Sequence, residues 1–224
     1  MFPDRVERMI LDGNMNGKEY YKGAPETSLD DADDAVRSFF VYCAEAGPER
    51  CKFAVKGDNA KGVERRYLRL LQKLESAPLV LSDLRFPYPF IITKGIVMGK
   101  LYLAAYDPLG NFPPLAAMLA ALDRGDAAAF FTPEEYAEAV KDSCSEPSAG
   151  GPNPFYNIGE PLQLVTCVDV ANRYNIKTVE QYENMVKAQE ALSTYGGRKY
   201  ALQNGGSCIG MSIYPPASQR FEGM

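Results

Sequence analysis

Histidine is absent from the 224-residue chain, and so is tryptophan. Without imidazole there is no Ser–His or Cys–His nucleophile pair, no histidine general base, and no zinc site of the mixed Cys/His or His-rich kind. Positive charge is also short: 24 Lys+Arg stand against 29 Asp+Glu, a net charge of −5 with a pI near 5.0. That balance argues against non-specific binding to nucleic acid, whose phosphates demand Lys and Arg. No apolar run reaches the ~20 residues a membrane-spanning helix needs. The most apolar stretches, 95–106 and 115–122, are interrupted or short. The opening residues, Met1-Phe2-Pro3-Asp4-Arg5-Val6-Glu7-Arg8, are charged and lack the apolar core of a signal peptide. The five cysteines, at 43, 51, 144, 167 and 208, contain no C-x-x-C spacing, which argues against a Cys-only zinc cluster and a thioredoxin-like motif.

What is present is ordinary globular composition, 46% hydrophobic and 24% charged. The length suits one large domain, or a core with an appended subdomain. Apolar periodicity predicts helices from Asp30 or Asp31 to about Ala46, from about Asn59 to Ser76, over Thr93–Tyr106 and over Pro114–Arg124. Capping boxes at Thr132–Glu135 and Thr178–Gln181 open two more, the second running to about Tyr195 before Gly196-Gly197. Leu162–Tyr174 reads equally as strand or helix. Leu79–Phe90 reads as a Pro- and aromatic-rich connector, and Ser145–Pro154 as a linker. One short strand is expected at Met9-Ile10-Leu11, stopped by Asp12-Gly13. A lone strand cannot satisfy its backbone groups in an interior, so it needs a sheet to join. Cys43 and Cys51 flank a Gly47-Pro48 turn that could bring them together as a local bridge. Two buried free thiols fit the spacing equally well. An odd cysteine count leaves at least one without an intrachain partner.

The run Phe2-Pro3-Asp4-Arg5-Val6-Glu7-Arg8-Met9-Ile10-Leu11-Asp12-Gly13-Asn14, followed by Glu19-Tyr20-Tyr21, resembles a stretch of the α/β-hydrolases. It is similar to the tripeptidyl-aminopeptidase-like branch of the proline iminopeptidase superfamily. There, an FPDRV-xR-hhLDG run (h apolar) follows the helix behind the G-x-S-x-G nucleophile elbow, enters a core strand and turns into the lid. The likeness keeps family order along most of the chain. Asp33–Cys43 through Cys51 resembles the first lid helix with its two cysteines. Phe112-Pro113-Pro114-Leu115-Ala116 through Leu122 and Gly125-Asp126 resembles a later lid helix. Thr166-Cys167-Val168-Asp169 resembles an hxC-x-D motif, Cys208-Ile209-Gly210-Met211 a C-x-x-W position that has Met instead of Trp, and Phe221-Glu222-Gly223 an F-x-G position.

The resemblance implies a serine peptidase or hydrolase that removes N-terminal aminoacyl or peptidyl groups in its complete form. It places the nucleophile serine before this stretch and the acid and histidine after it, so no residue here is assigned a catalytic role. The expected fold is a mostly α-helical lid plus one or two strands of an incomplete α/β-hydrolase core. The boundaries are 1–22 for core strand and turn, 23–160 for the lid, and 161–224 for the return toward the core. Tyr20, Tyr21, Phe86, Tyr88 and Phe90, with Tyr106, are candidates to line a substrate pocket under the lid. The family pattern implies a Cys43–Cys51 disulfide and a second pair, Cys167–Cys208, leaving Cys144 unpaired; two bridges would put the parent protein in an oxidising compartment. No metal, cofactor, nucleic acid or membrane is expected. The partner would be a peptide or small ester or amide substrate in the complete enzyme, with a separately encoded N-terminal half as a possible complement.

Three other features bear on function. Ser207, in Gly205-Gly206-Ser207-Cys208-Ile209, lacks the Gly two residues on that a nucleophile elbow requires. Asp12 would point to the active-site edge of a sheet, or merely order its own turn. The acids Asp30, Asp31, Asp33 and Asp34 read as a solvated first helical turn favoured by the helix dipole. A rival reading from another class is a non-catalytic helical binding module derived from the lid.

Overall fold

A computed structural model of the chain describes residues 3–21, 23, 26–86, 88–132, 135–136, 159–170, 176–206, 208–209, 211 and 213–219. Among these residues the architecture is mostly α-helical, with one two-stranded antiparallel sheet. A short turn of helix, α1 (Gly17–Tyr20), precedes the long α2 (Ala32–Arg50) and α3 (Ala60–Ser76). In α2, Val36, Phe39, Phe40 and Cys43 recur at helical spacing and are all buried. In α3 the buried face is Val63, Tyr67, Leu70, Leu71 and Leu74, and Asn59 caps its start by accepting from the Gly62 N–H. Each such Leu or Phe contributes about 1.5–3 kcal/mol by leaving water.

The strand expected at Met9–Leu11 does not form. Its residues belong to no ladder and are 65%, 96% and 64% exposed. A three-residue run with no neighbouring strand has no partner for its backbone groups except water, and in water it stays. The sheet comes instead from the stretch expected to be a connector: β1 (Leu79–Leu81) pairs with β2 (Phe90–Ile92) in the register Leu79↔Ile92, Val80↔Ile91, Leu81↔Phe90. Both strands are apolar runs, β-branched, aliphatic or aromatic, just long enough to bury Leu81 and Ile92 while Val80 and Ile91 face out.

Helix α4 (Lys94–Ala104) follows, capped by Thr93, and then α5 (Pro108–Asp123). The second of these begins six residues before the expected Pro114. Asp107 accepts from the Gly110 N–H and Pro108 sits in the first turn, a strong start that carries the helix through Pro113 and Pro114. It stops as expected at Gly125, where φ is 84°. There the N–H of Asp126 reaches the Ala121 carbonyl and that of Gly125 reaches Leu122, the paired bonds of a Schellman ending.

The Thr132–Glu135 capping box is closed by reciprocal bonds of 2.9 and 3.1 Å. The rest of the helix it opens, the 145–154 linker, Cys144, Ser207 and Phe221–Gly223 lie outside the described residues. The ambiguous stretch after residue 160 is helical, as α6 (Gly159–Val170). The Thr178–Gln181 box opens α7 (Val179–Leu192), which stops three residues short of Tyr195. A single turn, α8 (Gly197–Tyr200), then passes into a π turn at Ala201–Gly205. Gly196-Gly197 therefore begins a helix rather than ending one. Position 197 has to be glycine for a steric reason: a Cβ there would lie 2.0 Å from the Gln189 carbonyl oxygen.

Two disulfides are formed, Cys43–Cys51 and Cys167–Cys208, with all four cysteines buried. The first spans a break in α2 at Gly47, whose φ of 68° and ψ of 176° are non-helical, just before Pro48. The pairs are 8 and 41 residues apart. On the chain-entropy account, replacing both Cys43 and Cys51 by Ser should lower the unfolding free energy by about 2–3 kcal/mol, and the 167/208 pair by about 4. Urea denaturation of the two double variants checks the order, and a costlier loss of the shorter loop would contradict it.

Candidate functional site

The pocket candidates do not meet in one place. Tyr20 and Tyr21 pair edge to face, with ring centres 5.4 Å apart, and the Tyr20 hydroxyl donates to Asp169 Oδ2 on α6 at 3.0 Å. Burial, with Asp169 beside it, pushes the Tyr20 phenol above its ordinary value, so it stays a neutral donor. Phe86 and Phe90 sit elsewhere, in an aromatic cluster with Phe130, Phe131 and Tyr136. Phe86 meets Tyr136 at 4.6 Å, and Phe90 meets Phe131 at 4.9 Å. Lys100 lies 5.5 Å from the centres of both Phe130 and Phe131 and 3.6 Å from Glu135. These rings pack against one another. Tyr88 projects outward, 64% exposed, while its backbone N–H and carbonyl are both bonded to the Tyr136 hydroxyl. Of the aromatics from 86 to 90, Phe86 and Phe90 thus pack into this cluster at the hairpin, and Tyr88 meets it through its backbone.

Tyr106 does line a groove. With Tyr102, Thr27, Ser28, Asp30 and Asp31 it borders about 310 Å³ between α4 and the start of α2. The Tyr102 and Tyr106 hydroxyls lie 3.4 Å apart. Burial raises the Tyr102 phenol, and the Tyr106 hydroxyl adds to the effect, so Tyr102 holds its proton. The groove thus presents carboxylates and phenol hydroxyls, chemistry that suits a positively charged or amine-bearing group.

The expectation of a wholly solvated acidic turn at the start of α2 is corrected for Asp33. Its carboxylate accepts from the Ser193 hydroxyl at 2.6 Å and from the N–H groups of Tyr195 and Thr194 at 3.1 and 3.2 Å. Burial works to raise the Asp33 carboxyl, but those bonds outweigh it and hold it below the ordinary carboxylate range. The Ser193 N–H still closes α7 on the Gln189 carbonyl, and beyond it the N–H groups of Thr194 and Tyr195 turn to the Asp33 carboxylate instead of continuing the helix. Arg37 adds contacts to Asp33 at 3.4 Å and to Glu64 at 3.8 Å, and Glu64 accepts from the Tyr195 hydroxyl at 2.5 Å. The signal was in the sequence, since Asp33 lies three residues before Val36 and so shares its inward face.

The Ser193–Asp33 pair does not make a nucleophile. A carboxylate held below its usual range is a weak base, and a serine activated for attack needs a strong one beside it. Asp12 is exposed beside Gly13, whose φ is 62°. Among the described residues no three His, Cys, Asp or Glu side chains are grouped to hold a metal ion, and no helix is long and apolar enough to cross a membrane. In comparisons with known proteins, no family model, no curated protein and no solved structure matches the chain.

Because the Asp33 pKa is lower folded than unfolded, its contribution is complete above the unfolded value of about 3.9 and is lost as pH falls through the folded value. Thermal unfolding followed from about pH 5 down to about pH 2 should therefore fall more steeply for the natural chain than for Asp33→Asn. Parallel curves would show that the carboxylate charge is not what holds the 193–195 segment.

Proposed function

We propose that the chain is the lid-bearing middle of a serine hydrolase with the α/β-hydrolase fold, of the tripeptidyl-aminopeptidase-like kind. The complete enzyme would act by acyl transfer through serine, histidine and aspartate, none of which this chain supplies. The observation that carries the reading is Met9-Ile10-Leu11: an apolar run that is exposed and pairs with no strand, inside the segment most similar to the family's core-strand motif. Such a run suits a strand whose neighbours lie in another part of the enzyme. The absence of histidine and the order of the weaker motifs support the same frame. Within it, the Asp30–Asp31–Tyr102–Tyr106 groove would receive the free amino group of a peptide substrate.

A second reading keeps one specific observation in its favour. The helices bury a continuous core of their own, from Val36 and Phe40 through Tyr67 and Leu101 to Leu119 and Tyr195, which would let the chain stand as a non-catalytic binding module. Analytical ultracentrifugation with thermal unfolding separates the two: a cooperatively unfolding monomer favours the module, whereas self-association through the exposed run favours the enzyme part.

The purified chain should not hydrolyse aminoacyl or peptidyl p-nitroanilides. Co-expression with an N-terminal half carrying G-x-S-x-G and a C-terminal piece carrying the acid and histidine should restore turnover that serine-directed inhibitors abolish. In that assembly, Asp30→Asn with Asp31→Asn should raise KM about tenfold for substrates with a free amine and leave N-acylated ones unchanged. Turnover by the chain alone would sink the proposal.

A further inference from the structure

A different groove, lined by the opposite charge, lies where α4 meets α8 and the π turn. It measures about 410 Å³, within the size range of small-molecule sites. Its apolar lining comes from Ile96, Met98, Leu103 and Leu202, and its charged lining from Lys100, Arg198 and Lys199. Among the described residues no carboxylate lines it, although acids outnumber bases in the chain as a whole. Two of the cations are ion-paired to carboxylates outside the lining, Lys100 to Glu135 at 3.6 Å and Arg198 to Glu190 at 3.2 Å. Each keeps N–H donors beyond the one its carboxylate engages. Lys199 has no ion pair among the described residues. Its stem runs beside Gly99 of α4, so close that a Cβ added at 99 would sit 3.7 Å from the Lys199 Cδ. The half-buried stem leaves a charged end at the groove.

Three cations beside an apolar floor, with no acid in the lining, select a ligand that carries a negative head and an apolar body. A free inorganic anion would leave the floor wet, and a neutral hydrocarbon would leave Lys199 without a counter-charge. We propose that this groove binds a small amphipathic carboxylate, its head on Lys199 and Arg198 and its chain along Ile96, Met98 and Leu202. The site stands apart from the acidic groove beside Tyr106 and does not depend on the hydrolase reading.

The test uses decanoate as the probe and titrates it calorimetrically into the full chain, with decanamide as the uncharged counterpart of the same length. Decanoate should bind at one saturable site, decanamide about tenfold more weakly, and added salt should weaken only the carboxylate. Lys199→Gln should weaken decanoate about tenfold and leave decanamide unchanged. Should that variant lose its circular dichroism signature, Arg198→Gln serves instead, since Arg198 is exposed and its replacement leaves the core alone. Location is read separately: with no natural tryptophan in the chain, Leu202→Trp introduces a lone fluorophore whose emission should shift to the blue as decanoate fills the groove. Equal affinity for decanamide, no saturation, unchanged binding in both charge variants, or no spectral shift from the indole placed by Leu202→Trp would each overturn the assignment.

Discussion

A single carboxylate ties an early segment of this chain to a late one. Asp33 opens α2, and the hydroxyl and N–H donors it accepts belong to Ser193, Thr194 and Tyr195, some 160 residues later. Desolvating an aspartate is costly unless its oxygens are bonded, so the geometry of the far segment is dictated by what this acid needs. Once Ser193 and Tyr195 are placed, the Tyr195 ring falls beside Phe40 and Tyr67, at 5.8 and 6.2 Å, and its hydroxyl reaches Glu64. The return segment then sits against α4 closely enough that only glycine fits at 196, where a Cβ would meet the Tyr102 ring at 2.5 Å. The groove between α4 and α8 exists because of that placement.

Local rules were readable wherever one residue's chemistry decides the outcome. Asn59 and Thr178 mark helix starts because a side-chain oxygen accepts the orphan N–H groups there, and Gly125 marks a stop because it alone accepts positive φ cheaply. The faces of α2 and α3 followed from spacing for the same reason. What could not be read was the competition between distant groups. The length of α7 depends on a carboxylate far away in sequence, and whether Met9–Leu11 or Leu79–Leu81 becomes a strand depends on which finds a partner. Both runs are apolar and three residues long; only one has Phe90–Ile92 to pair with.

The site was less legible than the fold. Aromatic residues between prolines look alike whether they pack on each other or await a ligand, and Phe86 and Phe90 pack. The two grooves have opposite linings, one of acids and phenols at the start of α2, the other of lysine and arginine along α4. Each draws residues from segments remote in sequence, so neither forms a motif. Tyr102 and Tyr106 are, in sequence, two tyrosines four apart until Asp30 and Asp31 come to line the same groove.

The disulfides have a topological consequence. Cys43–Cys51 closes within α2 and its exit, and Cys167–Cys208 closes within the last third of the chain. Neither bridge staples the first of these segments to the second. Apart from the peptide backbone between them, the two cross-linked regions are joined by non-covalent contacts: Tyr20 on Asp169, Tyr195 on Glu64, and the 193–195 segment on Asp33. A nick in the intervening backbone would therefore yield two internally cross-linked pieces that could dissociate and re-associate without any thiol chemistry.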